Sequence, residues 1–162
     1  MKLYIKEKVF SWKDKFWVKD ENGNDKYLVE GEMISFGKKL HVYDVDGNEV
    51  AFIREHMWSV LPAYRVFCNN QQVAEIKKKF TMLLPKYTIE GLNWEVKGKV
   101  NVHKYEIIQG ERTIVSINKK WMTWADTYEL DIANGEDEII ALAVVLAIDC
   151  EMERTRNNLV SS

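Results

Sequence analysis

Apolar and polar residues alternate with a period of two through most of the first 133 positions, and then the pattern stops. "KFWVKDENGNDKYLVEGEMIS" places two alternating runs either side of Glu21-Asn22-Gly23-Asn24, and "KLHVYDVDGNEVAFIRE" does the same around Asp46-Gly47-Asn48. Asn-Gly and Asp-Gly between alternating runs are strong hairpin signals, because a tight two-residue connection needs positive φ. The two prolines, Pro62 and Pro85, fall between runs, where a missing amide is tolerated. The pattern predicts about twelve strands. From Ile139 to Ile148 it gives way to ten consecutive apolar residues. Acidic residues precede this run and Arg154 and Arg156 follow it, the charge order that suits a helix, and Asn134 and Gly135 offer a cap and a turn. A helix apolar on every side must be surrounded. Burying ten such side chains contributes on the order of 15–25 kcal/mol before entropy is subtracted.

The strand region also repeats. "YRVFCNNQQVAEIKKKFTMLLPKY" (64–87) and "YEIIQGERTIVSINKKWMTWADTY" (105–128) are both 24 residues long and align without a gap. Val73 meets Ile114, Ile76 meets Ile117, and the pair Lys78-Lys79 meets Lys119-Lys120. "YDVDGNEVAFIREHMWSVLPAY" (43–64) is a shorter cousin, with Arg54 at the place of the lysines, and "YLVEG" at 27 echoes "YTIEG" at 87. A strand–turn–strand unit cannot bury its own apolar face. Repeated units make a curved antiparallel sheet, and closing that sheet on the apolar helix removes the strand edges and walls the helix on all sides. The expected fold is α+β, mostly β: a closed antiparallel barrel with a helix as its plug, one domain over residues 1–158 and a short tail from 159 to 162.

Composition narrows the setting. The chain has 162 residues, 30% of them charged, with a net charge of −2, which argues against bulk attraction to nucleic acid. Cys68 and Cys150 have no partner spacing, which points to a reducing compartment. "MKLYIKEKVF" lacks the apolar core of a signal peptide, and the apolar run, at about 15 Å, is half the length of a bilayer core. The expected location is the cytoplasm.

The order "VKDENGN", "VYDVDGNEVA", "YRVF…VAEIKKKF", "YTIEGLNWEVKG", "TIVSINKKW…WADTYELDI" and "ALAVVLAIDC" resembles the LURP-one-related (LOR) family, over roughly residues 2 to 155. The resemblance implies the tubby-like fold: twelve strands wrapped on a central hydrophobic C-terminal helix. Some tubby proteins of that fold bind membrane phosphoinositides, and phospholipid scramblases are proposed to share it. For this chain, lipid recognition is an analogy of fold, which does not by itself carry function.

Candidate chemistry is sparse. His41, His56 and His103 stand alone, without the paired spacing of metal ligands, so no metal or cofactor is expected. "DVDGNE" (44–49) has calcium-loop residues but lacks the third acidic position and the closing Glu, and reads as a hairpin turn. No serine or cysteine sits in a nucleophile elbow, so no catalytic residue is assigned. The basic pairs are the most suggestive feature. In a strand, Lys78 shares a face with Ala74 and Ile76, and Lys119 with Val115 and Ile117, so both lean inward while Lys79 and Lys120 point out. An inward lysine needs an acidic partner or a route to water, and Asp126 and Asp149 are the candidate partners. As a functional site, Arg54, Lys77, Lys78, Lys79, Lys119 and Lys120 would form an anion site for a lipid headgroup. Six tryptophans should mostly fill the core, with Trp121, Met122 and Trp124 as an alternative membrane-touching tip. The leading expectation is a non-enzymatic binding module for anionic lipid or a protein partner. The alternative is an enzyme or carrier for a small apolar or lipid-like ligand in a barrel cavity, drawing on Asp126, Asp149, His103 or Tyr128. Direct lipid transport ranks last, since the helix would have to span.

Overall fold

The structure, a computed structural model, describes residues 1–6, 15–32, 36–79, 86–122 and 125–161, with only the backbone of Trp121, Met122, Ala125 and Asp126. Twelve strands lie within it: β1 (Lys2–Lys6), β2 (Lys15–Lys19), β3 (Asp25–Gly31), β4 (Lys39–Tyr43), β5 (Glu49–Glu55), β6 (Ala63–Cys68), β7 (Gln71–Lys79), β8 (Lys86–Glu90), β9 (Trp94–Lys99), β10 (Lys104–Gln109), β11 (Arg112–Met122) and β12 (Ala125–Ile132). Each pairs antiparallel with its neighbours in chain order, and β1 closes the barrel on β12 through Lys2↔Asp131 to Lys6↔Thr127. Alternation is visible strand by strand. Leu3 and Ile5, Phe16 and Val18, Tyr27 and Val29, Leu40 and Val42, and Ala51 and Ile53 all point into the core.

One helix, α1 (Glu138–Val160), fills the lumen. Every residue from Ala141 to Glu151 is buried. The cap is Asp137, whose carboxylate accepts the Ile140 amide at 2.9 Å, and not Asn134. An acidic cap three residues upstream of an orphan amide satisfies it directly, so the helix starts three residues later than a cap at Asn134 would start it. The helix continues to Val160, so the tail expected from residue 159 begins inside its last turn. No helix among the described residues is long and apolar enough to cross a membrane.

The aligned repeats are both hairpins. In β6–β7 and β10–β11 a bulge falls at the corresponding place, between Val66 and Phe67 in one and Ile107 and Ile108 in the other. All four flanking tyrosines, Tyr64, Tyr87, Tyr105 and Tyr128, point inward and are buried. "DVDGNE" is a turn. Asp44 accepts the amides of Asp46 and Asn48 at 3.0 and 2.8 Å, as Asp20 does those of Asn22 and Asn24. These bonds favour the ionised form and hold both carboxyls below the ordinary aspartate range.

The two mouths of the barrel differ. Tight connections close one: Asp20–Asn24, Asp44–Asn48, Asn69-Asn70 (both at positive φ), the turn at 91–93 and Gly110-Glu111. At the other lie residues 36–38, 56–62 and 100–103, and here α1 ends. Glu138 at the helix start meets Lys26 and Tyr27 at the start of β3, whereas Arg154 near its end meets Glu55 at the end of β5. The turn mouth carries Asp20, Glu21, Asp44, Asp46, Glu111 and Asp137 beside Lys19, Lys26 and Arg112. The loop mouth carries Lys39, Arg54, Lys79, Lys86, Lys99, Lys104 and Arg156 beside Glu32, Glu55 and Glu153. With acids in excess at one end and bases at the other, a chain with a net charge of only −2 is an electric dipole.

Candidate functional site: the loop mouth

The inward tyrosines organise this mouth. Directly across from Tyr64, Tyr87 and Tyr128 stand Glu55, Lys78 and Lys119. The first repeat thus places Glu55, not Arg54, at the position of the lysines. The helix answers in kind. Lys78 donates to Thr155 Oγ1 at 2.7 Å and lies 3.6 Å from Glu151 Oε1, while Thr155 donates to that same oxygen at 3.0 Å. Arg154 pairs with Glu55. A cation on one wall and an anion on another, each matched on α1, fix the depth and rotation of a plug whose apolar middle specifies neither. Repeated charges at this position thus have a structural role.

Among the described residues Asp149 partners no lysine. Its Oδ2 accepts the Tyr128 hydroxyl, and its Oδ1 lies 3.4 Å from His103 Nε2. His103 ends the 3-10 turn Val100–Val102 in the left-handed region at φ 48°, and its ring stacks on Tyr128 at 4.2 Å. Burial, and then the Asp149 charge, push the Tyr128 phenol far up. The Asp126 side chain lies outside the described residues. Cys150 is fully buried and its thiol is pushed well up by burial, which leaves it unreactive.

Glu151 is a perturbed carboxyl in this cluster. It is 2% exposed, and burial raises its pKa above 4.5 against the opposing pull of Thr155 and Lys78. A carboxyl raised in the folded state contributes stability that is fully present below pH 4.5 and lost as pH rises through the folded value. Glu151→Gln is therefore expected to gain stability relative to the parent between pH 5 and pH 8. Urea midpoints at the two pH values check this, and a constant difference would contradict it.

The six cations expected to form one anion site do not converge. Strands β5, β7 and β11 run the same way, so their ends share the loop mouth, but β7 and β11 are four strands apart, roughly 19 Å around the wall. Several are also occupied. Arg54 lies over the Phe67 ring at 5.0 Å, Lys77 binds Glu90 at 2.7 Å and Glu75 at 3.3 Å, and Lys120 lies 3.4 Å from Glu129. Lys119 is exposed on the inner-face alternation of β11, and Lys79 is exposed on the outer face of β7.

Lys79 instead belongs to a second set. It stands directly opposite Lys86, and two strands further on Lys99 stands directly opposite Lys104. Lys79, Lys86, Lys97 and Lys99 line an outer-wall cleft of about 620 Å³ with Glu95 as its acid. Among the described residues none of these lysines has an acidic partner within ion-pair distance. Gly98 lets β9 approach: at φ +113°, a Cβ there would come within 2.8 Å of the Lys104 carbonyl. Like charges directly opposed across strands are unfavourable. In the sequence this wall shows only as the alternation "KGKVNVHK", which the twin Lys-Lys pairs overshadow.

The tryptophans divide. Trp94 is in the core, whereas Trp17 is 39% and Trp58 90% exposed. Trp58 joins Phe36 and Met57 in an exposed apolar group at the loop mouth, lining one cleft with Lys39, Arg54, Glu55, His56 and Arg65, and Val60, two residues after Trp58, is also exposed. Of the tip expected at Trp121, Met122 and Trp124, no side chain lies within the described residues.

A family model described as LURP-one-related matches residues 1–149. The chain is 36% identical over 149 residues to the uncharacterized protein YxjI of Bacillus subtilis (strain 168), covering 92% of each. It is also similar to the X-ray structure of an Arabidopsis thaliana protein, with a TM-score of 0.63 at 17% identity, covering 93% of this chain and 91% of that one. The second likeness speaks for the fold alone.

Proposed function

This chain belongs to the LURP-one-related family, and from that premise we propose that it is a non-enzymatic binding module that sits loop mouth down on an anionic membrane surface and takes acidic headgroups on the outer wall of β7 to β10. The observation that supports this most is the set of two opposed lysine pairs, Lys79–Lys86 and Lys99–Lys104. Many cations elsewhere are paired with carboxylates, as in Lys2–Glu129, Lys15–Glu30, Lys19–Asp25 and Lys39–Glu32. On this wall it leaves them facing one another, and an arriving anion relieves the repulsion. The polarity of the barrel orients it, with acidic turns away from the surface. The tip of Phe36, Trp58 and Val60 adds interfacial apolar area.

Co-sedimentation with phosphatidylcholine vesicles, with and without 30 mol% phosphatidylserine, tests the reading. At about 1 kcal/mol per basic residue near an anionic surface, Lys79→Glu with Lys86→Glu is expected to weaken binding at least about thirtyfold. Binding should also fall between 50 and 200 mM salt. No binding of the parent protein to the anionic vesicles at low salt would end the proposal.

A further inference from the structure

The emerging end of α1 leaves one cleft open. Met152, Thr155, Arg156 and Leu159 recur at i, i+3, i+4 and i+7, a single helix stripe. This stripe faces Lys78 on β7, Tyr87 on β8 and Asn101 in the 3-10 turn, across a cleft of about 310 Å³. Its lining is sorted. Met152, Leu159 and the Tyr87 ring are apolar, while Lys78, Thr155, Asn101 and Arg156 bear hydrogen-bond donors. Leu159 is 73% exposed, so apolar surface is left uncovered where the helix leaves the wall.

We infer that this cleft is a binding site for a small single-chain amphiphile with one negative charge, a carboxylate head held by Lys78 and Arg156 and a short alkyl chain laid along Tyr87, Met152 and Leu159. The size sets the chain number: 310 Å³ is at the small end of ligand cavities, too little for a two-chain lipid. The charge behind the cleft sets the head. Glu151, buried beside Lys78, makes a dianion unfavourable, whereas a monoanion shares Lys78 with Glu151 and takes its second contact from exposed Arg156. Glu151, held by the lining residues Lys78 and Thr155, has its buried Oε2 without a hydrogen-bond partner among the described residues. This site borders the outer lysine cleft at Tyr87, but its two cations, Lys78 and Arg156, do not line that cleft, and the inference does not depend on the membrane reading.

The test uses the full chain and sodium decanoate below its micelle concentration, without vesicles, followed by calorimetry and amide chemical shifts. Saturable binding of one decanoate is expected, with shifts centred on Lys78, Tyr87, Asn101 and Arg156. Decanol, with the same chain and no charge, should bind about tenfold or more weakly, the worth of one charge-assisted hydrogen bond. Arg156→Gln, at an exposed position that leaves the core intact, should cost a similar factor, and Leu159→Asp should abolish binding. Lys79→Glu with Lys86→Glu, at residues that line the neighbouring cleft, should weaken decanoate binding less than Arg156→Gln does while removing vesicle binding, which distinguishes this site from the membrane reading. Non-saturable uptake, equal affinity for decanol, shifts away from the cleft, or an Arg156→Gln variant that binds like the parent would each overturn the inference.

Discussion

Leu146→Ala is expected to lower the free energy of unfolding by about 3–5 kcal/mol, a large share of the roughly 5–15 kcal/mol that holds a domain together. The side chain is wholly enclosed, midway along a helix that has no exposed face over Ala141 to Glu151. A twelve-stranded barrel is wider than the eight-stranded barrels whose lumen side chains alone can fill. Here the lumen is filled by α1, and hydrogen-bonded strands all round cannot collapse onto a missing isobutyl group. Relaxation is therefore small and the cavity cost near its full value. The opposite change is informative too. Ala143 is also wholly buried, and Ala143→Leu should cost about 1–3 kcal/mol through overpacking. Leu159→Ala, on the same helix but 73% exposed, should change stability by no more than about 0.5 kcal/mol. Urea unfolding of the three variants measures this. A Leu146→Ala loss near that of Leu159→Ala would mean that the helix middle is not enclosed.

The architecture was legible because two periodicities that cannot coexist in one element follow each other along the chain. Alternation with Asn-Gly and Asp-Gly turns makes hairpins, and a ten-residue run without a polar face can only be interior. Closure follows from joining the two. What pairs with what at the mouth was less legible, because strand alternation says which side a residue faces but not which helix residue it meets. Lys78 was rightly placed inward, yet its partner is Glu151, two residues beyond Asp149, since helix rotation inside the barrel decides the pairing. Arg54 aligned with the lysines by sequence, but the cross-strand register puts Glu55 opposite Tyr64. The lysine wall depends on register between β7 and β8 and between β9 and β10, which no local pattern reveals. The tip of Phe36 and Trp58 joins two connections distant in sequence, each with one aromatic that composition alone assigns to the core.

Two buried tyrosines should respond oppositely to the same change. Tyr128→Phe removes the donor to Asp149 Oδ2, and Asp149 is 3% exposed. A carboxylate deprived of a partner where water cannot replace it costs about 1.5–3 kcal/mol. Tyr105 is as deeply enclosed, its phenol pushed up by burial and then by the Asp149 charge, but its hydroxyl has no hydrogen-bond partner among the described residues. Tyr105→Phe thus deletes an unsatisfied polar atom, and stability should stay level or rise by up to about 1 kcal/mol. Combining Tyr128→Phe with Asp149→Leu converts the hydrogen-bonded pair to apolar groups of similar volume, and should recover most of what the first change lost. The coupling between the two positions, read from the four-protein cycle, should be about 1–3 kcal/mol. Equal losses at Tyr105 and Tyr128 would show that ring packing alone sets their worth. In that case the Asp149 carboxylate would lean on His103, whose ring stacks on Tyr128, and His103→Phe would then carry the larger cost.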